Sequence, residues 1–212
     1  MEASSPSSAP ASLRSWDELD FCGELEHPGQ GLSDEQSINF TNSRTSQDQL
    51  AIEDYLERQG QRLHEARLLH VGIGNSSLAL RLHHCCRAID GITVTAQEAA
   101  RAQSLHLSHY RVFLLNKYSV NFVRTLQPGY TWIIDNNPNS FACCRFHYAR
   151  MLESYRWALA PGGQVLVHRR GLSWVAADKR WHASFDDLSA AASRFGLRAD
   201  RIGDDISSLI RE

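Results

Sequence analysis

Short apolar runs alternate with segments of helical periodicity from about residue 45 onwards. A helix is predicted over 46–63, because Ser46 and Gln49 have the spacing of a capping box, and Gly60 marks a point where it would break early. Further helices are predicted from 3.6-residue periodicity at 77–86, 97–107, 141–159 and 185–195. Strands are predicted at 67–71, 89–95, 110–115, 130–134, 164–168, 197–202 and 206–210.

The alternation of strand and helix predicts an α/β fold. The strands are apolar on both faces, and strands of that kind lie in mainly parallel sheets that helices cover on both sides. In such sheets a ligand binds at the carboxyl ends of the strands, near the point where the strand order reverses. The loops after the first four strands are therefore the expected location of any chemistry.

The amino-terminal part of the chain has a different character. Residues 1–14 consist largely of Ser, Ala and Pro and predict a disordered tail, without the basic and apolar regions of a secretory signal. Residues 15–45 carry scattered apolar side chains, including Trp16 and Phe40, and we expect them to form a lid or cap. Residues 46–212 are predicted to form one domain, since this length suits a single core.

Composition and charge narrow the classes of partner. The chain has 22 Lys and Arg residues against 24 Asp and Glu, a formal net charge of −2, so we expect no nucleic-acid partner. No apolar run approaches the roughly 20 residues needed to cross a bilayer, so we expect no membrane partner. The five cysteines have no CxxC spacing, which predicts a reducing, cytoplasmic environment. The oligomeric state stays open, and a homodimer is compatible with the sequence.

Two glycine-containing turns carry a resemblance to a known family. Gly72 and Gly74 follow the first predicted strand, and the segment 159–167, with the sequence LAPGGQVLV, leads into the fifth. This combination resembles the class I S-adenosylmethionine (SAM)-dependent methyltransferases over roughly residues 45–210. The resemblance implies a single Rossmann-like domain with a mainly parallel seven-stranded sheet and helices on both faces, and SAM as methyl donor or substrate. Ser77 stands where a GxGxxG pattern has its third glycine.

The resemblance also implies where the parts of SAM would bind. The first loop would wrap the methionine part, the end of the second strand would hold the ribose, and the third loop would contact adenine. Thr93 occupies the place of the family's usual ribose-binding Asp or Glu, as in the similar loop of cyclopropane fatty acid synthases, and Gln97 or Glu98 lies one turn later to help. The predicted cofactor-binding residues are Gly72, Gly74, Asn75, Ser76, Thr93, Val94, Thr95, Asn116, Tyr118 and Asp135.

The fourth loop and the end of the fifth strand supply the predicted catalytic residues. Asn137 and Asn139 lie in a loop similar to the [DN]PP[YF] loop of amino methyltransferases, where amides orient an amine, although only a single proline is present. The alternative is an Asx turn followed by a helix with Ser140 as its N-cap. His168, at the carboxyl end of the fifth strand, is predicted to act as an acid, a base or a carboxylate-binding group.

The remaining polar clusters are predicted to have no catalytic role. The run 83–86, with the sequence HHCC, lacks the spacing of a zinc site, and no metal is predicted. His147 is expected in solvent and His70 in the core. Cys143 and Cys144 have no base that the sequence identifies. Trp174, after the fifth strand, is the tryptophan expected to contact a substrate.

Three functions are compatible with this sequence. The leading one is methyl transfer from SAM to an amine, hydroxyl or carboxylate of a small metabolite or natural-product precursor. The second is an intramolecular cyclisation of SAM that releases methylthioadenosine, as in azetidine-2-carboxylate synthases, with Asn137 and Asn139 holding the SAM amine. The third is a non-catalytic partner subunit of the same fold, which the missing ribose acid and third glycine would favour.

Overall fold

The computed structural model describes residues 40–140, 142, 144–173 and 181–212. The strands are β1 (Arg67–Val71), β2 (Ala88–Thr93), β3 (Tyr110–Leu114), β4 (Tyr130–Ile134), β5 (Leu159–His168), β6 (Leu197–Ile202) and β7 (Ile206–Arg211). The helices are α1 (Gln47–Glu57), α2 (Gln61–His64), α3 (Ser77–Leu82), α4 (Ala96–Ser104), α5 (Asn121–Thr125), α6 (Arg145–Ala158) and α7 (Phe185–Ser193). A 3-10 turn, Arg169–Leu172, follows β5.

The seven strands form one sheet in the order β3-β2-β1-β4-β5-β7-β6. β1 to β5 pair in parallel, and β7 runs antiparallel to both β5 and β6. The predicted mainly parallel, seven-stranded sheet is therefore confirmed. The strand order reverses between β1 and β4, and the carboxyl ends of these two strands are therefore where a ligand crevice is expected.

Helices cover both faces of the sheet, as predicted. Residues alternate along each strand, so Leu69 and Ile133 pack on one side with α5, α6 and α7, whereas Leu68 and Ile134 pack on the other with α1 and α3. Both apolar clusters are almost fully buried. The carboxyl edge of the sheet is thus held rigidly from two sides.

Several helix boundaries differ from the prediction. The first predicted helix breaks at Gly60, whose φ of +53° suits glycine, and forms α1 and α2. The long helix begins after Cys144 and not after Ser140. Leu159, expected on that helix, instead pairs with Tyr130 as the first residue of β5. Helix α5 was not predicted, because its five residues are too few to show a 3.6-residue hydrophobic period.

Some sequence predictions fall outside the described residues. These are the tail at 1–14, the lid at 15–45 apart from its last six residues, Cys143 and Trp174. Within the described ranges, no helix is both long and apolar enough to span a bilayer. The same residues contain no group of three His, Cys, Asp or Glu side chains placed to hold a metal ion.

Candidate functional site

The turn after β1 brings the backbone to the crevice without a side chain in the way. Gly72 has a φ of +72°, and a Cβ placed on it would meet no atom within 4 Å. Gly91 on the neighbouring strand β2 supports this turn, because its missing side chain leaves room for Ile73, whose Cγ2 would lie 2.7 Å from a Cβ at position 91. The backbone at Gly72 is therefore open to close approach by a ligand, whereas a Cβ at Gly74 would lie 3.5 Å from the Phe40 Cβ. The cofactor-binding role of both glycines stays a prediction.

The side chains of Asn75 and Ser76 form hydrogen bonds with other parts of the protein at this turn. Asn75 accepts a hydrogen bond from the Ser77 N–H through Oδ1, which caps α3, while its Nδ2 donates to the Ser43 carbonyl at 2.8 Å and to the Thr45 hydroxyl at 3.0 Å. Ser76 is fully buried, with a left-handed φ of +63°, and its Oγ accepts from Tyr110. These contacts correct the prediction that the two side chains bind the cofactor.

A carboxylate does lie at the end of β2, although it comes from α4. Glu98 is buried and accepts a hydrogen bond from the Thr93 hydroxyl at 2.6 Å through Oε2. Thr93 in turn accepts from the Thr95 N–H. Thr93 therefore positions an acid and does not replace it. Glu98 Oε1 accepts from the Phe40 N–H at 3.0 Å. Val94, also predicted to bind the cofactor, is half-buried beside them.

The third loop is a polar turn whose side chains face inward. Asn116 accepts from the Tyr118 N–H through Oδ1, which forms an Asx turn. The Tyr118 ring is 1% exposed, and its hydroxyl contacts the carbonyls of Pro138 and Ser140. The buried Tyr118 ring and the bonds of its hydroxyl give this residue an internal role, since they join the third loop to the fourth, and its predicted contact with the cofactor stays a prediction.

A buried ion pair joins the same two loops. The Lys117 ammonium lies 3.0 Å from Asp135 Oδ2 and also donates to the Asn137 carbonyl at 2.8 Å. Burial lowers the pKa of Lys117, and the neighbouring Asp135 carboxylate opposes that shift. Tyr155 donates to Asp135 Oδ2, and its pKa is raised by burial and by the same carboxylate. Asp135 is thus a structural anion, which corrects its assignment to the cofactor.

Asn139 is a structural residue as well. Both hydrogens of its buried amide are donated to backbone carbonyls, those of Leu172 and Trp181, and its Oδ1 accepts from the Tyr148 hydroxyl at 2.8 Å. Tyr148 also stacks on Trp181, with ring centroids 5.4 Å apart. This arrangement corrects the prediction that the Asn139 amide orients a substrate amine.

Asn137 stays a prediction as a substrate contact. Its side chain is partly exposed, and its backbone carbonyl is held by Lys117. The turn after β5 packs directly on this loop, since a Cβ at Gly171 would overlap the Asn136 carbonyl and lie 3.0 Å from Asn137 Oδ1. The neighbouring Asn136 Oδ1 is buried without a hydrogen-bond partner among the described residues.

His168 lies at the carboxyl end of β5, on the side of α1. It is buried, and its Nδ1 accepts from the Arg170 N–H at 3.2 Å. The same nitrogen is 3.6 Å from Asp48 Oδ1 on α1, and Arg170 approaches that carboxylate at 3.5 Å. His168 is thus placed at the predicted edge, and its catalytic role stays a prediction.

The start of α6 contains a thiol and an imidazole in contact. Cys144 Sγ lies 3.3 Å from His147 Nδ1, and both residues are buried. The prediction that His147 is solvated is wrong. In the first turn of α6, the side that carries His147 is buried, in addition to the apolar side of the helix. His70, in contrast, is buried in β1 as predicted, and burial lowers its pKa to about 4.

Sequence reasoning missed Lys117 and Gly171. A lysine in the loop after one apolar strand and an aspartate directly after the next strand were the available signal for the ion pair. Gly171 had no local signal, since its role depends on the approach of a loop more than 30 residues earlier.

This architecture is similar to that of solved protein structures. No family model and no curated protein matches the sequence. Among solved structures, the chain is similar to the N-methyltransferase NodS from Bradyrhizobium japonicum in complex with S-adenosylhomocysteine, with a TM-score of 0.61 at 13% identity over 88% of this chain and 99% of that one. It is also similar to CalS10, an amino pentose methyltransferase from Micromonospora echinaspora with bound SAM, with a TM-score of 0.60 at 12% identity over 91% and 100% of the two chains.

A third similar structure is named for a reaction other than methyl transfer. The [4+2]-cyclase SpnF matches with a TM-score of 0.53 at 18% identity over 84% of this chain and 65% of that one. At these identities the likeness describes the fold and leaves the reaction to the site residues. The strand order, the antiparallel seventh strand and the glycine turn after β1 together show that this chain has the fold of the class I SAM-dependent methyltransferases.

Proposed function

We propose that this chain binds SAM and transfers its methyl group to a small-molecule acceptor, an amine, hydroxyl or carboxylate. The observation that carries the proposal is the pairing of the open glycine turn after β1 with the buried Glu98 carboxylate, which Thr93 holds at the end of β2. Similar structures that contain SAM or S-adenosylhomocysteine support it.

The residues fit a nucleoside with an amino-acid tail. Gly72 leaves room for a ligand beside the backbone, and Glu98 offers oxygen acceptors to the hydroxyls of a ribose. Thr93 donates to one carboxylate oxygen, which fixes the orientation of the other. When bound, SAM supplies a methyl carbon that its positive sulfur already activates.

The chain's contribution to such a reaction is mainly geometric. Lys117 and Tyr118 hold the β4 loop from inside, and Gly171 lets the β5 turn close against it. This rigid edge would keep an acceptor in line with the reacting carbon. Asn137 would orient the acceptor, and His168 would accept a proton from an acceptor that must lose one early.

Binding and turnover are tested separately. Calorimetric titration with S-adenosylhomocysteine measures the affinity of the wild-type chain, and Glu98→Ala should weaken it at least tenfold, since one charged hydrogen-bond acceptor is lost. Leu80→Ala, at an exposed apolar residue of α3, is the matched control and should leave the affinity unchanged. Absence of binding to the wild-type chain would contradict the proposal.

A SAM-consuming cyclisation is the second candidate, because the name of the [4+2]-cyclase SpnF indicates that a similar fold is not confined to methyl transfer. Incubation with SAM alone, followed by mass spectrometry, distinguishes the two reactions. Methylthioadenosine formed without an added acceptor would favour cyclisation, whereas S-adenosylhomocysteine formed only with added small amines, alcohols or acids would favour methyl transfer. SAM that binds and stays intact under every condition would favour the non-catalytic subunit.

A further inference from the structure

Residues 40–45, which we name the strap, lie across the two elements assigned to the cofactor. At one end, the Phe40 N–H donates to Glu98 Oε1 at 3.0 Å. At the other end, Asn75 Nδ2 donates to the Ser43 carbonyl and to the Thr45 hydroxyl. Between them, the Ser43 N–H donates to the Phe40 carbonyl and closes a turn. The strap is therefore attached at two points that belong to different loops.

The Glu98 end of the strap lies where a ribose would reach this carboxylate. Glu98 Oε2 accepts from Thr93, and the Phe40 backbone nitrogen lies 3.0 Å from Oε1, so Phe40 takes up the space beside the oxygen that is not held by Thr93. Phe40 also lies over the glycine turn, since its Cβ would be 3.5 Å from a Cβ at Gly74. The strap and a ligand at this carboxylate would thus compete for the same oxygen and the same face of the turn.

We propose that the strap is an autoinhibitory latch, in which Glu98 exchanges the Phe40 N–H for a ribose hydroxyl of an adenosine-containing ligand. This inference rests on the proposed binding of SAM. The Asn75 contacts do not involve Glu98, so they retain the Thr45 end of the strap as a hinge while the Phe40 end is released. Phe40 is 39% exposed, so its side chain is only partly enclosed at this end of the strap.

The latch lowers the affinity for the ligand, because Phe40 must leave its place beside Glu98 Oε1 and Gly74, and break its hydrogen bond, before a ribose can take that place. The substitution Phe40→Pro removes the backbone N–H and leaves Glu98 intact. Phe40→Ala removes the phenyl ring and keeps the N–H, so it is the matched control. Position 40 lies outside the sheet and its helices, so both variants are expected to fold.

The experiment is calorimetric titration of S-adenosylhomocysteine into the wild-type chain and both variants. We expect Phe40→Pro to bind about tenfold more tightly than Phe40→Ala, which is the fold-change of one charge-assisted hydrogen bond that no longer needs to break. Equal affinities, or weaker binding by Phe40→Pro, would overturn the latch and leave the proposed function standing. Failure of the wild-type chain to bind would overturn both.

Hydrogen exchange of the Phe40 amide, measured by nuclear magnetic resonance, gives an independent readout. In the wild-type chain, saturating S-adenosylhomocysteine should accelerate exchange of this amide severalfold, while Glu98→Ala should accelerate it without any ligand. An amide that stays equally protected, or becomes better protected, when the ligand binds would show that the strap closes over the ligand and would contradict the latch.

Discussion

Lys117 and Asp135 form a buried ion pair, with 3.0 Å between Nζ and Oδ2, that joins the loop after β3 to the loop after β4. The lysine also holds the Asn137 carbonyl, and Tyr155 donates to the aspartate from α6. Three elements of the chain therefore meet at one pair of charges. This pair therefore helps to fix the shape of the candidate acceptor loop.

Replacing Lys117 alone should destabilise the protein strongly. We expect Lys117→Met to lower the free energy of unfolding by about 3–5 kcal/mol, because it leaves the Asp135 carboxylate buried without its cation. The double variant Lys117→Met with Asp135→Leu should recover most of that loss, since no unpaired charge remains. Urea denaturation measures both values.

A surface pair provides the control for that measurement. Arg198 and Asp200 are 3.1 Å apart, and both side chains are more than half exposed. We expect Arg198→Met to change the unfolding free energy by less than about 1 kcal/mol. A Lys117→Met variant as mild as this control would show that the buried pair does not hold the loops.

Asn139 should behave as a structural residue. We expect Asn139→Ala to lower the free energy of unfolding by about 3 kcal/mol or more, because it removes three buried hydrogen bonds. Tyr148→Phe should lower it by about 1–3 kcal/mol. Since the two side chains share a bond, the double variant should lose less than the sum of the single losses. Unchanged stability of Asn139→Ala with altered turnover would restore the catalytic role predicted from sequence.

The contact between the β4 and β5 loops should depend on the absence of a side chain at Gly171. A Cβ there would overlap the Asn136 carbonyl, so Gly171→Ala must push the two loops apart. We expect a loss of about 3 kcal/mol or more in unfolding free energy. Gly162→Ala tests the cost of an unfavourable backbone conformation without a steric clash, because Gly162 has a φ of +70° and no atom lies near the added Cβ. This variant should lose only about 1–2 kcal/mol of unfolding free energy. Equal losses in the two variants would contradict the steric argument.

Acid should destabilise the protein through His70. Burial lowers the pKa of His70 to about 4, below the ordinary value of 6.5, so the unfolded chain takes up a proton that the folded chain does not. The stabilisation is complete above about pH 6.5 and is lost as the pH falls towards 4, which amounts to about 3 kcal/mol.

Substitution isolates this contribution from the other groups that titrate in acid. His70→Leu should reduce the difference in unfolding free energy between pH 7 and pH 4.5. His64→Leu, at an exposed histidine of α2, should leave that difference as in the wild-type chain. If the two variants respond to pH alike, His70 is not the group responsible.

The glycine turn and the Glu98 carboxylate illustrate how much of the candidate site can be predicted from local sequence. Gly72 and Gly74 are recognisable because a strand, a turn and a helix follow one another within a few residues. The position of Glu98, one helical turn after Thr93, can be recognised in the sequence. The orientation of its side chain cannot, because it depends on how α4 packs on β2 and β3. Four of the five residues from 135 to 139 are polar and flank Pro138, which suggests chemistry, yet the structure uses the side chains of Asp135 and Asn139 for internal bonds.

By itself, the sequence determined the order of strands and helices, the parallel sheet with helices on both faces, and the glycines at the carboxyl edge. These features follow from periodicity and from turn residues, which act over a few positions of the chain. The tertiary structure alone decided which polar side chains face a ligand and which face each other. Lys117 and Asp135 are 18 residues apart, and Phe40 and Glu98 are 58 apart. Such pairs form only when packing brings distant segments together and burial makes an unpartnered polar group unfavourable.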